Sequence, residues 1–223
     1  MTTARHATPR RTLLAILALV LAGAVATARA QAPATAVPGP SPNVLVEQTA
    51  EALARRIEGR QVELAGNPAA LYAVVNEVFL PVFDTDQAAR LVLGRHARTA
   101  TPAQRQAFID AFYDFLLRSY ARYVLRFEKD KVTILPPPRG AQKPGRAVVM
   151  TRMRLADGKE IPVDYSLWAT KTGWKAYDVR IEGISYVQNY RNQFDAEISQ
   201  KGLDAVIARI RADAAKLSTD LPP

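Results

Sequence analysis

Very few residues in this chain could do chemistry. The sequence has 223 residues, no cysteine and two histidines. Without thiols there is no thiol nucleophile, no thiolate metal site and no disulfide exchange. His6 falls in a segment argued below to be removed, which leaves His96 as the candidate general base. A hydrolase would have to pair it with a serine such as Ser119 or Ser185, and no G-x-S-x-G turn accompanies any of them. His96 sits in Leu93-Gly94-Arg95-His96-Ala97, just past an expected helix end, where a polar or positive residue suits the helix dipole. Asp84-Thr85-Asp86 has the spacing of a DxD metal pair, but acids just ahead of a helix serve as caps. No catalytic residue, metal site or cofactor is therefore expected, and the protein is read as a non-enzyme.

The start of the chain reads as an export signal. Arg5, Arg10 and Arg11 form a basic head, Leu13 to Val25 is an apolar run, and Ala28-Arg29-Ala30 supplies small residues at the A-x-A positions. The run is too short to cross a bilayer comfortably, so a cleaved signal peptide over residues 1–30 is expected, with cleavage after Ala30 and a periplasmic destination. Arg10-Arg11 followed by Thr12-Leu13-Leu14 is also compatible with a twin-arginine signal. The segment holds four arginines and no acid, so the mature chain carries 26 basic and 21 acidic side chains, net +5 rather than +9. That mild excess is not a nucleic-acid footprint, and no nucleic-acid partner is expected. An exported chain of this size can bury enough core without disulfides.

Residues 31–42, rich in alanine and proline, read as a disordered leader, and 218–223 as a tail. Asn43 is the expected cap of a first helix whose Leu45, Thr49, Leu53 and Ile57 share a face, and 61–66 is expected to be a connector. Asn67-Pro68 is a cap followed by proline at the first helical position. The helix after it has a wide apolar surface that includes Val75 and Phe79, and it stops near Pro81. Asp84 or Asp86 caps a short helix closed by Gly94. Thr101-Pro102-Ala103-Gln104 is a capping box that opens a helix predicted to reach Phe127. Along it Phe108, Phe112, Phe115, Leu116, Tyr120, Tyr123 and Phe127 form an aromatic stripe, expected to meet the sheet that follows.

That sheet is predicted as a four-stranded antiparallel meander: 131–135, 146–155, 159–169 and a strand from Trp174. Asp157-Gly158 reads as a two-residue hairpin turn and Thr172-Gly173 as the next. Alternation puts Ala147, Val149, Thr151, Met153 and Leu155 on one face, and Ile161, Val163, Tyr165 and Leu167 on one face of the return strand. The chain pivots on 174–194, where a strand carrying Trp174, Tyr177, Val179 and Ile181 breaks at Gly183. Ile184, Val187 and Tyr190 then recur at helical spacing, so the strand is expected to turn straight into a helix. A last helix from Leu203 to Lys216 follows Gly202. The fold class is α+β: a helical layer over the meander with two closing helices. The interior is either a solid core or an apolar cavity, since both need the same residue types.

Four segments, in order, carry a family resemblance. They are Leu91-Val92-Leu93-Gly94-Arg95; Ala100-Thr101-Pro102-Ala103-Gln104-Arg105, leading to Phe108 and Phe112; Trp174-Lys175-Ala176-Tyr177-Asp178-Val179; and Ile181-Glu182-Gly183-Ile184-Ser185, leading to Asn189-Tyr190-Arg191 and Phe194. Together with the export signal, the chain from about 43 to 217 resembles the MlaC, or toluene-tolerance (Ttg2D-type), periplasmic phospholipid carriers. The resemblance implies a single lipid-binding domain over 43–217, a deep apolar pocket for acyl chains, an exposed head group and no cofactor. It implies shuttling between an outer-membrane lipoprotein–porin complex and an inner-membrane ABC transporter complex, in the service of outer-membrane lipid asymmetry. A monomer that docks transiently is expected.

By position, Val163 and Ile184 match apolar pocket positions of that family. Face and hydrophobicity add Val75 and Phe79 from the helix after Asn67, and Phe108, Phe112, Phe115 and Tyr123 from the aromatic stripe. They also add Val149, Met153, Tyr165 and Leu167 from the meander, and Val179, Ile181 and Val187 from the pivot. Two readings stand beside this one: a carrier of hopanoids or another apolar lipid on the same fold, and an exported protein-binding adaptor with a solid core and no ligand.

Overall fold

A computed structural model describes residues 37–137, 143–155 and 157–217. The expected signal peptide, most of the leader, part of the proline loop and the tail lie outside them. Among the described residues, seven α-helices and one sheet follow from local signals. Helix α1 (Pro42–Ile57) begins two residues earlier than expected: Pro42 takes the first helical position, Ser41 and not Asn43 precedes it as N-cap, and Pro42 itself is buried. The end of the leader is thus built into the fold, and the Pro38 carbonyl lies so near Gly173 that a Cβ there would come within 3.0 Å of it. The expected connector is a short helix, α2 (Gln61–Ala65), because Leu64 is fully buried and anchors it.

Helix α3 (Pro68–Phe79) is capped by Asn67, whose side chain accepts from the Ala70 amide at 3.1 Å. Helix α4 (Thr85–Leu93) is capped by Asp84, which accepts from the Gln87 amide at 2.9 Å. A 3-10 turn, Gly94–Arg98, leads to α5 (Pro102–Val124), opened by the Thr101–Gln104 capping box. Helix α5 ends three residues short of Phe127, and 125–127 continue as turns. The closing helices are α6 (Tyr186–Lys201) and α7 (Leu203–Leu217).

The sheet has five strands in sequence order, all antiparallel, rather than four: β1 (Val132–Ile134), β2 (Arg146–Arg154), β3 (Glu160–Thr170), β4 (Gly173–Ile181) and β5 (Ile184–Ser185). The turn at Asp157-Gly158 is longer than two residues, because the Leu155 amide already bonds the Lys159 carbonyl at 2.8 Å. The fifth strand corrects the pivot. Glu182 and Gly183 both take positive φ, 48° and 84°, which suits a tight hairpin reversal. The chain therefore folds back along β4, pairing Arg180 with Ser185 and Ile181 with Ile184, before α6 begins. Helical periodicity read through Ile184 missed a two-residue strand too short to show alternation.

The register assigns the sheet faces, since cross-strand partners point to the same side. Ile134, Thr151, Val163, Ile181 and Ile184 form one row across all five strands. Val149, Tyr165 and Val179 form the next, and Ala147, Leu167 and Ala176 the one after it. We call this the inner face. A bulge at Ser166/Leu167 lets β4 keep Ala176 on it.

Two cores hold the helices together. One joins α4, α5, α6 and α7 around Phe108, Phe112, Phe194 and Ile210. The other joins α1, α2 and α3 with Ala121 of α5. Both are built from helical side chains and short connectors; among the described residues neither contains a strand side chain. The sheet is fastened to the helices by its edges and ends: Ala176 of β4 bonds Val82 and Asp84 through its backbone, α1 packs along β2, and α6 leaves directly from β5.

Candidate apolar site and its rim

The inner sheet face is apolar in every row that the register defines, apart from Thr151 and the Tyr165 hydroxyl. Ala147, Val149, Thr151, Val163 and Leu167 are buried. Thr151 keeps its hydroxyl satisfied by donating to the Val163 carbonyl at 2.7 Å, so the face loses no apolar character there. Tyr165, in the middle row, is deep enough that burial pushes its pKa up, yet part of its side chain remains accessible. Met153, Ile161, Val179 and Ile181 are likewise only partly covered. The sheet face thus combines a buried centre with incompletely covered apolar flanks.

The expected lining residues separate into three groups. Val149, Met153, Val163, Tyr165, Leu167, Val179 and Ile181 share the inner face, as alternation required. Phe108 and Phe112 do not meet the sheet, which corrects the expected direction of the aromatic stripe. Their rings stack at 5.6 Å and meet Phe194 edge-on at 5.8 Å, so they are helix-to-helix core. Phe115 and Val187 pack on that core, and Val75 and Phe79 on the other. Tyr123 and Ile184 are exposed, 55 % and 61 % respectively. A stripe at helical spacing shows that a face is buried; it does not show against what.

Two contacts tie α6 to its neighbours. Asp178, buried at the end of β4, accepts from the Ser185 hydroxyl at 2.7 Å and the Val187 amide at 3.1 Å. Ser185 in turn caps α6 by accepting from the Gln188 amide at 3.0 Å. One carboxylate therefore ties the strand to the helix that follows the hairpin. Gly94, at φ 54°, lets the Arg191 side chain lie against its backbone; a Cβ there would sit 2.7 Å from Arg191 Nε. The signal for both was available as pairs of short motifs, Trp174–Val179 with Ile181–Ser185 and Leu91–Arg95 with Asn189–Arg191.

The residues weighed for catalysis are engaged elsewhere. The His96 ring bonds Asp195 at 3.0 Å, on a carboxylate that Arg95 also contacts at 2.9 Å. Ser119 donates back to the Phe115 carbonyl in its own helix, and Ser185 is the cap just described. Asp84 caps α4 and accepts from the Trp168 indole at 3.1 Å. Among the described residues no group of three or more His, Asp or Glu side chains is arranged to hold a metal ion. A groove of about 850 Å³ lies between the start of α4 and the β3–β4 turn. It is lined by Asp84, Asp86, Lys171 and Lys175 among others and contains none of the expected lining residues.

A mixed fold with two helical cores and an apolar sheet face belonging to neither is the frame of a binding protein built on shape. The sequence profile of the MlaC protein family matches residues 47–212, and the chain belongs to that family. It is 27 % identical over 164 residues to the toluene tolerance protein ttg2D of Pseudomonas putida, covering 73 % of this chain and 75 % of that one. It is 24 % identical over 180 residues to the intermembrane phospholipid transport system binding protein MlaC of Haemophilus influenzae, covering 78 % and 83 %. Its structure resembles that of a phospholipid-binding protein from Ralstonia solanacearum in complex with a phospholipid. That similarity has a TM-score of 0.73 at 25 % identity and covers 80 % of this chain and 99 % of the other.

Proposed function

We propose that this protein is a periplasmic phospholipid carrier that holds acyl chains against the inner face of its sheet. The observation that carries the reading is that face: apolar across three rows, centred on Val163 and Val149, and separate from both helical cores. The bound phospholipid of the Ralstonia relative supports the cargo class.

The physical chemistry suits a carrier. At about 0.8 kcal/mol per CH₂, two chains of roughly fifteen methylenes cost about 24 kcal/mol to hydrate. A lipid cannot cross water in the open, and an apolar pocket removes that cost. A bilayer removes it equally well, so the pocket can be tight against water and still exchange with a docked membrane partner. Such a site needs shape and apolar lining and no acid–base pair. A passive pocket has no direction of its own; the outer-membrane lipoprotein–porin complex and the inner-membrane ABC transporter complex would set it, and with it outer-membrane lipid asymmetry.

Native mass spectrometry of the mature protein purified from periplasm without detergent, with lipid extraction alongside, tests this. A stoichiometric adduct extracting as phospholipid is expected. A hopanoid adduct would replace the cargo, and protein that is lipid-free and takes up no labelled lipid from liposomes would overturn the carrier reading.

A further inference from the structure

Two of the short sequence motifs, Leu91–Arg95 and Asn189–Arg191, meet where α4 ends against α6, and they take no part in the apolar sheet face. Gly94 closes α4 with φ 54° and ψ −119°, and the exposed Arg191 of α6 lies against it. A Cβ at position 94 would come within 2.7 Å of Arg191 Nε and 3.1 Å of one of its terminal nitrogens. The glycine thus makes room for a guanidinium. Yet among the described residues that guanidinium has no hydrogen bond, ion pair or ring partner. Beside it is a hollow of about 380 Å³ lined by Arg95, Arg191, Asn192, Asp195 and Ala196. None of these belongs to the inner sheet face.

The other charges at the hollow are already matched. Asp195 holds Arg95 through both oxygens, at 2.9 and 3.0 Å, and its Oδ1 also meets the His96 ring at 3.0 Å. Asn192 accepts from the Gln188 side-chain amide at 2.8 Å, which leaves its own NH₂ group as a donor at the hollow. One guanidinium and one amide remain, a set that matches a planar monoanion such as a carboxylate. A phosphate dianion would face the Asp195 carboxylate with a single unmatched cation to hold it. The flanking surface of α6 is exposed and uncharged, since Gln188, Asn192 and Ala196 follow one another at four-residue spacing. A carboxylate on a lone exposed arginine is held weakly. The same pair is strong when a partner surface closes around it and shuts out water.

We propose that this face of α6 docks a partner protein, and that Arg191 receives a carboxylate side chain from an acidic segment of that partner. The strip Gln188–Asn192–Ala196 is the uncharged surround of the contact. Gly94 is a positioning residue: its missing Cβ sets where the guanidinium lies. The inference does not depend on what the sheet face binds.

The probe is fluorescein-labelled hexaglutamate, followed by fluorescence anisotropy with the intact mature protein at low ionic strength, and inorganic phosphate is the competitor. The variants are Arg191→Gln, Arg191→Lys and, to control for net charge, Arg211→Gln on the exposed surface of α7. The parent should bind the peptide and Arg191→Gln should bind it about tenfold more weakly. Arg191→Lys should bind about threefold more weakly, because an ammonium keeps the charge and lacks the planar fork. Arg211→Gln should stay within about twofold of the parent. No binding by the parent, or equal loss in Arg191→Gln and Arg211→Gln, overturns the docking face. Displacement by inorganic phosphate at the concentration of the peptide assigns the hollow to a free anion and overturns it as well. Lipid retained through purification should be the same in Arg191→Gln as in the parent; a variant that loses its lipid would place Arg191 in the lipid site and overturn the docking role.

Discussion

Val163 and Ile184 lie on one row of the sheet, each paired with Ile181 from opposite sides. Two strand spacings, roughly 10 Å, separate them. Over that distance the row passes from 4 % to 61 % exposed. One end is the floor of the apolar face and the other is its rim, so the same chemical change should act differently at the two ends. Val163→Thr puts a hydroxyl into the buried floor and should cost about 1–3 kcal/mol of stability while lowering lipid retained through purification. Ile184→Asp should leave stability within about 0.5 kcal/mol and slow lipid uptake from liposomes. Thermal unfolding and an uptake time course check both; normal lipid content and uptake in both folded variants would mean that lipid lies elsewhere.

Asp178 gives the second prediction. It is buried, and it holds the Ser185 hydroxyl and the Val187 amide. Asp178→Ala leaves a hydroxyl and an N–H without their acceptor, at a cost of about 1–3 kcal/mol each. The loss should be local first: hydrogen exchange at Val187 and Gln188 should speed up before the rest of α6, and the Tyr186 side chain should lose its fixed position. Uniform acceleration across α6 and α7 would instead mean that the carboxylate supports the whole core.

Helix starts were the most legible part of the fold. Asn67, Asp84 and Thr101 each cap as their side-chain chemistry requires. The faces of β2 and β3 were also legible, because alternation over nine or more residues leaves little choice. What failed were short or shared elements. Strand β5 is two residues long, and α2 rests on one buried leucine. The direction of the aromatic stripe was also hidden, because Phe108 and Phe112 are as apolar whether they face the sheet or Phe194. The expected sheet positions share one face, as alternation implied, while the contact between Tyr120 and Tyr190, on separate helices, carried no signal in the sequence.

Gly94 supplies a third prediction. Its φ of 54° with ψ of −119° is a backbone state that L-residues resist, and its missing Cβ leaves room for Arg191. Gly94→Ala should cost about 1–3 kcal/mol through backbone strain. Arg191→Ala at the same site should cost much less, because the arginine's flexible end can move aside while the strain cannot. If the double substitution recovers the stability lost by Gly94→Ala, contact with Arg191 and not strain sets the requirement for glycine.

Tyr120 of α5, whose hydroxyl lies 3.2 Å from that of Tyr190, makes a prediction about alkaline pH. Burial, and then the bond to Tyr190, raise Tyr120 from 10.0 to about 12. The protonated form of tyrosine is the neutral one, so the folded protein keeps this proton where the unfolded chain has released it. Between those two values the folded state binds more protons, and stability must fall as pH rises. The contribution is whole below pH 10.0 and is lost as pH passes about 12. Tyr186 and Tyr190 are shifted in the same direction by burial and should steepen the loss. Denaturant unfolding followed across this range should show a declining midpoint, and Tyr120→Phe should flatten the decline because phenylalanine has no proton to lose. Tyrosinate absorbance gives an independent reading: the parent should hold back a late-titrating fraction that shrinks in the variant.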